Sequence, residues 1–183
     1  MYKHIQDITL KDLQKKCTQI HYFGLGFIQV KLGLTYRIHF YTDILPPIID
    51  EEDVHNHRYG FTSKILYGDF HQELFKVIPG NTHILQDESC KEGYISDPNT
   101  VKTCSLEKIG EQWFKEGSSY SISHQVFHRV SAHNAITLLT RSDYKKELAQ
   151  VVRINGTPKI CPFSKKISEE ELWGIVERIL KKI

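Results

Sequence analysis

The strongest constraint on the fold is a run of period-two alternation between Phe27 and Tyr41. Ile28, Val30 and Leu32 alternate with Gln29 and Lys31. After Gly33, the residues Leu34, Tyr36, Ile38 and Phe40 alternate with Thr35, Arg37, His39 and Tyr41. Side chains on an extended chain point to opposite faces in turn, so this pattern predicts two half-buried strands, with Gly33 at the turn or bulge between them. The nine Tyr and nine Phe lean the same way, since aromatic side chains suit a pleated surface. With 183 residues the chain is expected to form a single domain with one sizeable core.

Helices are expected only at the ends. Residues 9–18 read as a short helix capped by Thr9, with Asp12 three positions on. Residues 168–183 read as a second: Ser168 caps it, Glu171 completes a capping box, and Leu172, Val176, Ile179, Leu180 and Ile183 form an apolar stripe suited to core packing. Between them, Pro46-Pro47 and the acidic run Asp50–Asp53 form a loop, and Gly68-Asp69 reads as a hairpin turn. The polar stretch 79–105 reads as an insertion or hairpin excursion. Strand-like sequence resumes at Glu111–Lys115, Ser119–Ile122, His128–Ser131 and Ala135–Thr140. Helical flanks around strands suggest a β-barrel or sandwich.

The net charge of +2, with basic pairs scattered among acids, gives no basic patch for nucleic acid. No segment is long or apolar enough to span a membrane, and Met1-Tyr2-Lys3-His4 leads into polar sequence, so neither a signal peptide nor a membrane partner is expected. Cys17, Cys90, Cys104 and Cys161 contain no CxxC pair. A cytoplasmic protein with free thiols follows as the default; Cys90 and Cys104 would be the pair to bond were the chain exported.

Histidine carries the chemistry. There are ten, and His55 and His57 stand one residue apart, so on a strand their imidazoles share a face and can converge on one ion. The candidate third ligand is His128, some seventy residues downstream. His39 sits on the polar face of its strand and reads as a surface or supporting residue. His124 lies too far along an extended chain for co-ligation, and His4, His21, His83 and His133 read as structural or exposed.

These residues resemble the cupin superfamily, whose first motif is His-x-His-x(3–4)-Glu-x(6)-Gly and whose second contributes a His from a later strand. His55, His57, Gly68 and His128 match. A nearer likeness is to uncharacterised bacterial and phage cupin-domain proteins, matched here by His55-Asn56-His57-Arg58-Tyr59-Gly60-Phe61, Leu66-Tyr67-Gly68-Asp69-Phe70, His128-Arg129-Val130 and Thr137-Leu138-Leu139-Thr140-Arg141. The resemblance covers roughly residues 25–141. It implies a mostly β, jelly-roll barrel with a short N-terminal helix and a C-terminal amphipathic helix, and a divalent metal held by His55, His57 and His128. The motif Glu is replaced by Phe61. The site is then either a three-histidine one, as in the thiol dioxygenases among cupins, or one completed by Glu73 or His71, or a barrel without metal. Arg58, Tyr59, Phe61 and Arg141 are candidate substrate contacts at the barrel mouth, suited to an anion.

Three functions follow as expectations. The first is a non-haem iron dioxygenase acting on a small anionic or thiol substrate, with Fe(II) preferred and Zn(II), Mn(II) or Ni(II) as alternatives. The second is an isomerase or epimerase of a nucleotide-linked sugar, with His55 or His57 as base and Tyr59 or Tyr67 as acid. The third is a cupin that binds a small molecule without chemistry. Many cupins are dimers, which makes a homodimer an expectation too.

Overall fold

A computed structural model describes residues 2–45, 47, 54–89, 97–155 and 165–183. Two helices flank the strands. In α1 (Leu10–Lys16) the Thr9 hydroxyl accepts from the Asp12 amide at 3.1 Å. In α2 (Glu169–Leu180) Ser168 does the same for Glu171 at 3.2 Å. Both caps satisfy a backbone donor that the first turn leaves without a partner.

The strands are β1 (Gln19–Phe23), β2 (Phe27–Leu32), β3 (Tyr36–Tyr41), β4 (Val54–His55), β5 (Tyr59–Glu88), β6 (Lys102–Phe114), β7 (Ser119–Ile122), β8 (Phe127–Tyr144) and β9 (Ala149–Ile154). All pairings are antiparallel. The β2–β3 turn falls at Gly33, whose φ of +65° suits a residue without Cβ.

The sheet closes on itself. β8 pairs with β4, β4 with β9, β9 with the far end of β5, and the middle of β5 returns to β8. β1, β2 and β3 extend it from the other flank of β8. The result is a mostly β, closed antiparallel barrel of jelly-roll type with helical flanks. β1 and β9 were not anticipated from sequence. The 79–105 stretch is partly structural: its first ten residues continue β5 and pair with β6 and β9.

Gly68-Asp69 is not a turn. β5 runs straight through it, and the pairing with β8 slips between Ile65 and Tyr67 and again between Tyr67 and Asp69. Gly68 has φ +76°, and opposite it Asn134 has φ +49°. A Cβ on Gly68 would stand 2.6 Å from the Asn134 carbonyl oxygen, so the close approach itself demands glycine. Paired bulges bend both strands and flip their side-chain phase.

The main apolar core lies outside the barrel. Ile20, Ile28, Val30, Ile38, Phe40 and Leu138 pack under Leu13 of α1 and Leu172, Ile175 and Val176 of α2. The α2 stripe is therefore core packing, although Ile183 remains 43% exposed. The Asp50–Asp53 run, Cys90 and Cys161 lie outside the described residues. Cys17 and Cys104 carry free thiols. No helix among the described residues is long and apolar enough to cross a membrane.

Candidate metal centre

The alternation that packs Ile28 and Ile38 outward turns Gln29 and His39 into the barrel. Both are buried, and the Gln29 amide nitrogen lies 3.0 Å from His39 Nε2. Of the two expectations for His39, a surface or a supporting residue, the surface one is corrected: the polar face of this strand is the interior face. His21, expected to be structural or exposed, lines the same cavity. His21, Gln29, His39 and Thr137 lie in one cross-strand row over β1, β2, β3 and β8.

His55, His57 and His128 meet inside this cavity. β4 places His55 directly opposite His128 on β8. His57 follows two residues later, just before β5 begins. The three ring centroids are 4.9, 4.9 and 5.0 Å apart. Each ring offers one nitrogen, all within 4.8 Å of one another, and the Nε2 atoms of His57 and His128 are 2.8 Å apart. Two imidazole nitrogens about 2.0–2.1 Å from a shared ion stand roughly 3.0–3.4 Å apart, so this spacing needs little adjustment to fit one. Burial holds His57 well below the usual imidazole range, with His55, His128 and Arg37 adding to the effect; burial and then His55 do the same for His128. Neutral rings present lone pairs rather than charge, as metal ligation requires. The group fits a divalent metal ion.

Phe61 points inward. Its ring meets His57 edge-on at 4.8 Å and lies 6.1 Å from His128. It closes one side of the centre with carbon where the motif would supply a carboxylate. Tyr59, also buried, has its ring 5.8 Å from that of His57.

Glu73 and His71 are not available to the centre, which corrects their assignment as extra ligands. Cross-strand partners share a face, and His128 is paired with Leu74, so Glu73 and His71 point away from it. Glu73 is ion-paired with Arg129 at 2.6 Å and Lys108 at 2.8 Å. His71 stacks on Trp113 at 4.1 Å and reaches Ser131 at 3.3 Å. Tyr67 likewise packs against the outer core, which removes it as an acid partner for the histidines.

The cavity holds about 240 Å³. Arg58 stacks on Tyr144 at 4.7 Å, and Arg141 stacks on Tyr144 at 4.4 Å and on Tyr59 at 5.5 Å. Sequence reasoning missed Arg37, which lines the cavity on the inner face of β3. The signal was present in its place beside His39 on the same alternating face.

No protein-family model and no curated protein matches the sequence. Among solved structures, one match is the crystal structure of a hydroquinone 1,2-dioxygenase in complex with Cd2+ and 4-hydroxybenzonitrile, at 14% identity and a TM-score of 0.35. The match covers 63% of this chain and 62% of that one, so the chain spans less than two thirds of that protein's length.

Proposed function

We propose that this protein is a metal-dependent cupin of the non-haem iron dioxygenase type, an oxidoreductase acting on a small anionic or thiol substrate, with Fe(II) held by His55, His57 and His128. The observation that carries the reading is the convergence of three imidazoles, His128 buried and His55 and His57 half-buried, in a cavity large enough for a small substrate. A divalent ion held by these three rings would supply Lewis-acid and redox chemistry to a substrate in the cavity.

The chain's own residues do the rest. Burial keeps His57 and His128 neutral, so their lone pairs are free for ligation near pH 7. Phe61 keeps water from one side of the centre. Three neutral ligands leave the ion's charge uncompensated, which favours a thiolate or carboxylate donor from the substrate. Arg58 on the cavity lining, with Arg141 stacked on Tyr59 and Tyr144 beside it, adds positive potential that draws such anions in.

The test is metal content and oxygen uptake of protein produced with iron. Wild type should hold about one iron per chain, the stoichiometry of a single three-imidazole centre. His57→Ala should lose nearly all of it, while His83→Ala, altered on β5 away from the centre, should keep it. Equal iron in wild type and His57→Ala would sink the ligand assignment. Full iron with no oxygen uptake across small thiols and carboxylates would sink the reaction class.

A further inference from the structure

We propose that Arg37 is the anchor for a carboxylate group of the substrate, and that the substrate is a small carboxylate with an apolar body of about one ring. This rests on reading the three-histidine group as the reacting end of the cavity.

Among the described residues that line the cavity, the cations are Lys31, Arg37, Arg58 and Arg153, and Glu88 is the one acid. Glu88 lies 3.4 Å from Arg153. Lys31 donates to Gln19 at 2.6 Å. Arg58 spends donors on the Glu147 carbonyl and the Tyr144 hydroxyl. Arg37 differs. It is half-buried on the inner face of β3, and its guanidinium lies over the Tyr59 ring at 5.0 Å. Among the described residues, no hydrogen bond or ion pair takes up its N–H donors. A stacked guanidinium is held in orientation while its in-plane fork stays open, the arrangement that binds a carboxylate through two parallel hydrogen bonds.

Its position sets the size of the ligand. Tyr59 neighbours both Arg37 and the centre, its ring 5.0 Å from the guanidinium and 5.8 Å from the His57 ring. Arg37 and His57 are therefore no farther apart than those two distances together, a span that a small molecule held at Arg37 can cross. The apolar side chains of this part of the cavity are Tyr59, Phe61 and Leu139, the last paired with Arg37 across β3 and β8. An apolar body is matched by these walls, and an extended polar one is not.

The experiment is binding of benzoate and of neutral, isosteric benzamide to the metal-free protein, followed by NMR titration, with metal uptake measured on the same preparations. Wild type should prefer benzoate at least tenfold, and Arg37→Gln should erase that preference while its thermal midpoint stays near wild type. Arg37→Lys should keep part of it, since charge remains and the fork does not. Equal binding of the two probes by wild type, no benzoate binding at millimolar concentration, or an unchanged preference in Arg37→Gln would each overturn the proposal. The two readings fail separately. A preserved benzoate preference in a protein that takes up no iron removes the metal assignment and leaves Arg37 standing; iron uptake without the preference does the reverse.

Discussion

The two faces of β1, β2, β3 and β8 are built from alternate residues of the same strands, and they carry opposite chemistry. On the outer face Ile28, Val30, Ile38, Phe40 and Leu138 meet the helices, and several are wholly buried. On the inner face His21, Gln29, Lys31, Arg37, His39 and Thr137 share a cavity with the rings of Phe23, Phe27 and Tyr41. Stability is concentrated in the first and recognition in the second. An interior that keeps a cavity gains less from burial than a filled one, and the helices add an apolar layer against the outside.

That division predicts a large asymmetry between neighbouring residues. Phe40→Ala, on the outer face and fully buried, should cost about 3–5 kcal/mol. His39→Ala, one residue away on the inner face, removes a hydrogen bond to Gln29 and opens space beside an existing cavity; it should cost on the order of 1 kcal/mol. Urea unfolding of the two variants checks this. If His39→Ala proves the more damaging, the inner face is the structural one and the comparison breaks.

The alternation itself was legible in the sequence, as were β2, β7 and both helix caps. Which face lay inside was not. Period two separates residues into two sets, and either set can face a core when one of the two cores is a polar cavity. β9 escaped notice because Val151 and Val152 are adjacent and break the alternation. The misplacement of His71 and Glu73 has a more specific cause. Phe61, Ser63 and Ile65 face inward, so an unbroken strand would carry residues 71 and 73 inward too. The bulge at Gly68 shifts the phase, and Phe70, Gln72 and Leu74 take the inner positions. Asn134 does the same to β8, between the inward set His128 and Val130 and the inward set Thr137 and Leu139. The need for those bulges is set by strands distant in sequence, so a local reading of Gly-Asp as a turn had nothing to correct it. The triad was legible because His55 and His57 sit two apart on one side of the phase shift, and His128 lies before the other.

The inward-facing histidines should also show in the pH dependence of stability. His39 is pushed down from 6.5 to about 3, and His21 from 6.5 to about 4, in each case mainly by burial, with Arg37 adding to both. The unfolded chain takes up protons on these rings below about pH 6.5 while the folded chain does not, so stability is full above that pH and falls as the pH drops. Each unit of pH in the window from 6.5 down to 4 should cost about 1.4 kcal/mol per ring, and His39 continues the loss to about 3. His39→Gln should flatten the acid limb by one ring's share while leaving Phe40 and its surroundings intact. An acid limb identical to wild type in urea titrations between pH 7 and 4.5 would mean that His39 is not held neutral by the fold.

The smallest expected effect sharpens the comparison at one residue. Phe61 sets an apolar ring directly against the histidines, edge-on to His57 at 4.8 Å. Phe61→Glu would set a carboxylate beside the three imidazoles, of which burial holds His57 and His128 neutral. In the metal-free protein that charge is buried without a cationic partner at the centre, so the variant should melt below wild type. With a divalent ion present, the carboxylate gains a partner of opposite charge, and metal affinity should rise by about tenfold, on the order of 1.4 kcal/mol. The two shifts have opposite signs and can be read in one experiment, a thermal melt with and without added Zn(II): the metal-induced gain in midpoint should be larger in Phe61→Glu than in wild type. The substitution should at the same time weaken benzoate binding to the metal-loaded form, because the new carboxylate repels the probe and occupies its share of the ion's charge. A general loss of stability with no larger metal-induced gain would mean that position 61 serves only as packing beside the histidines, and the absence of the motif glutamate would then have no bearing on how the centre handles charge.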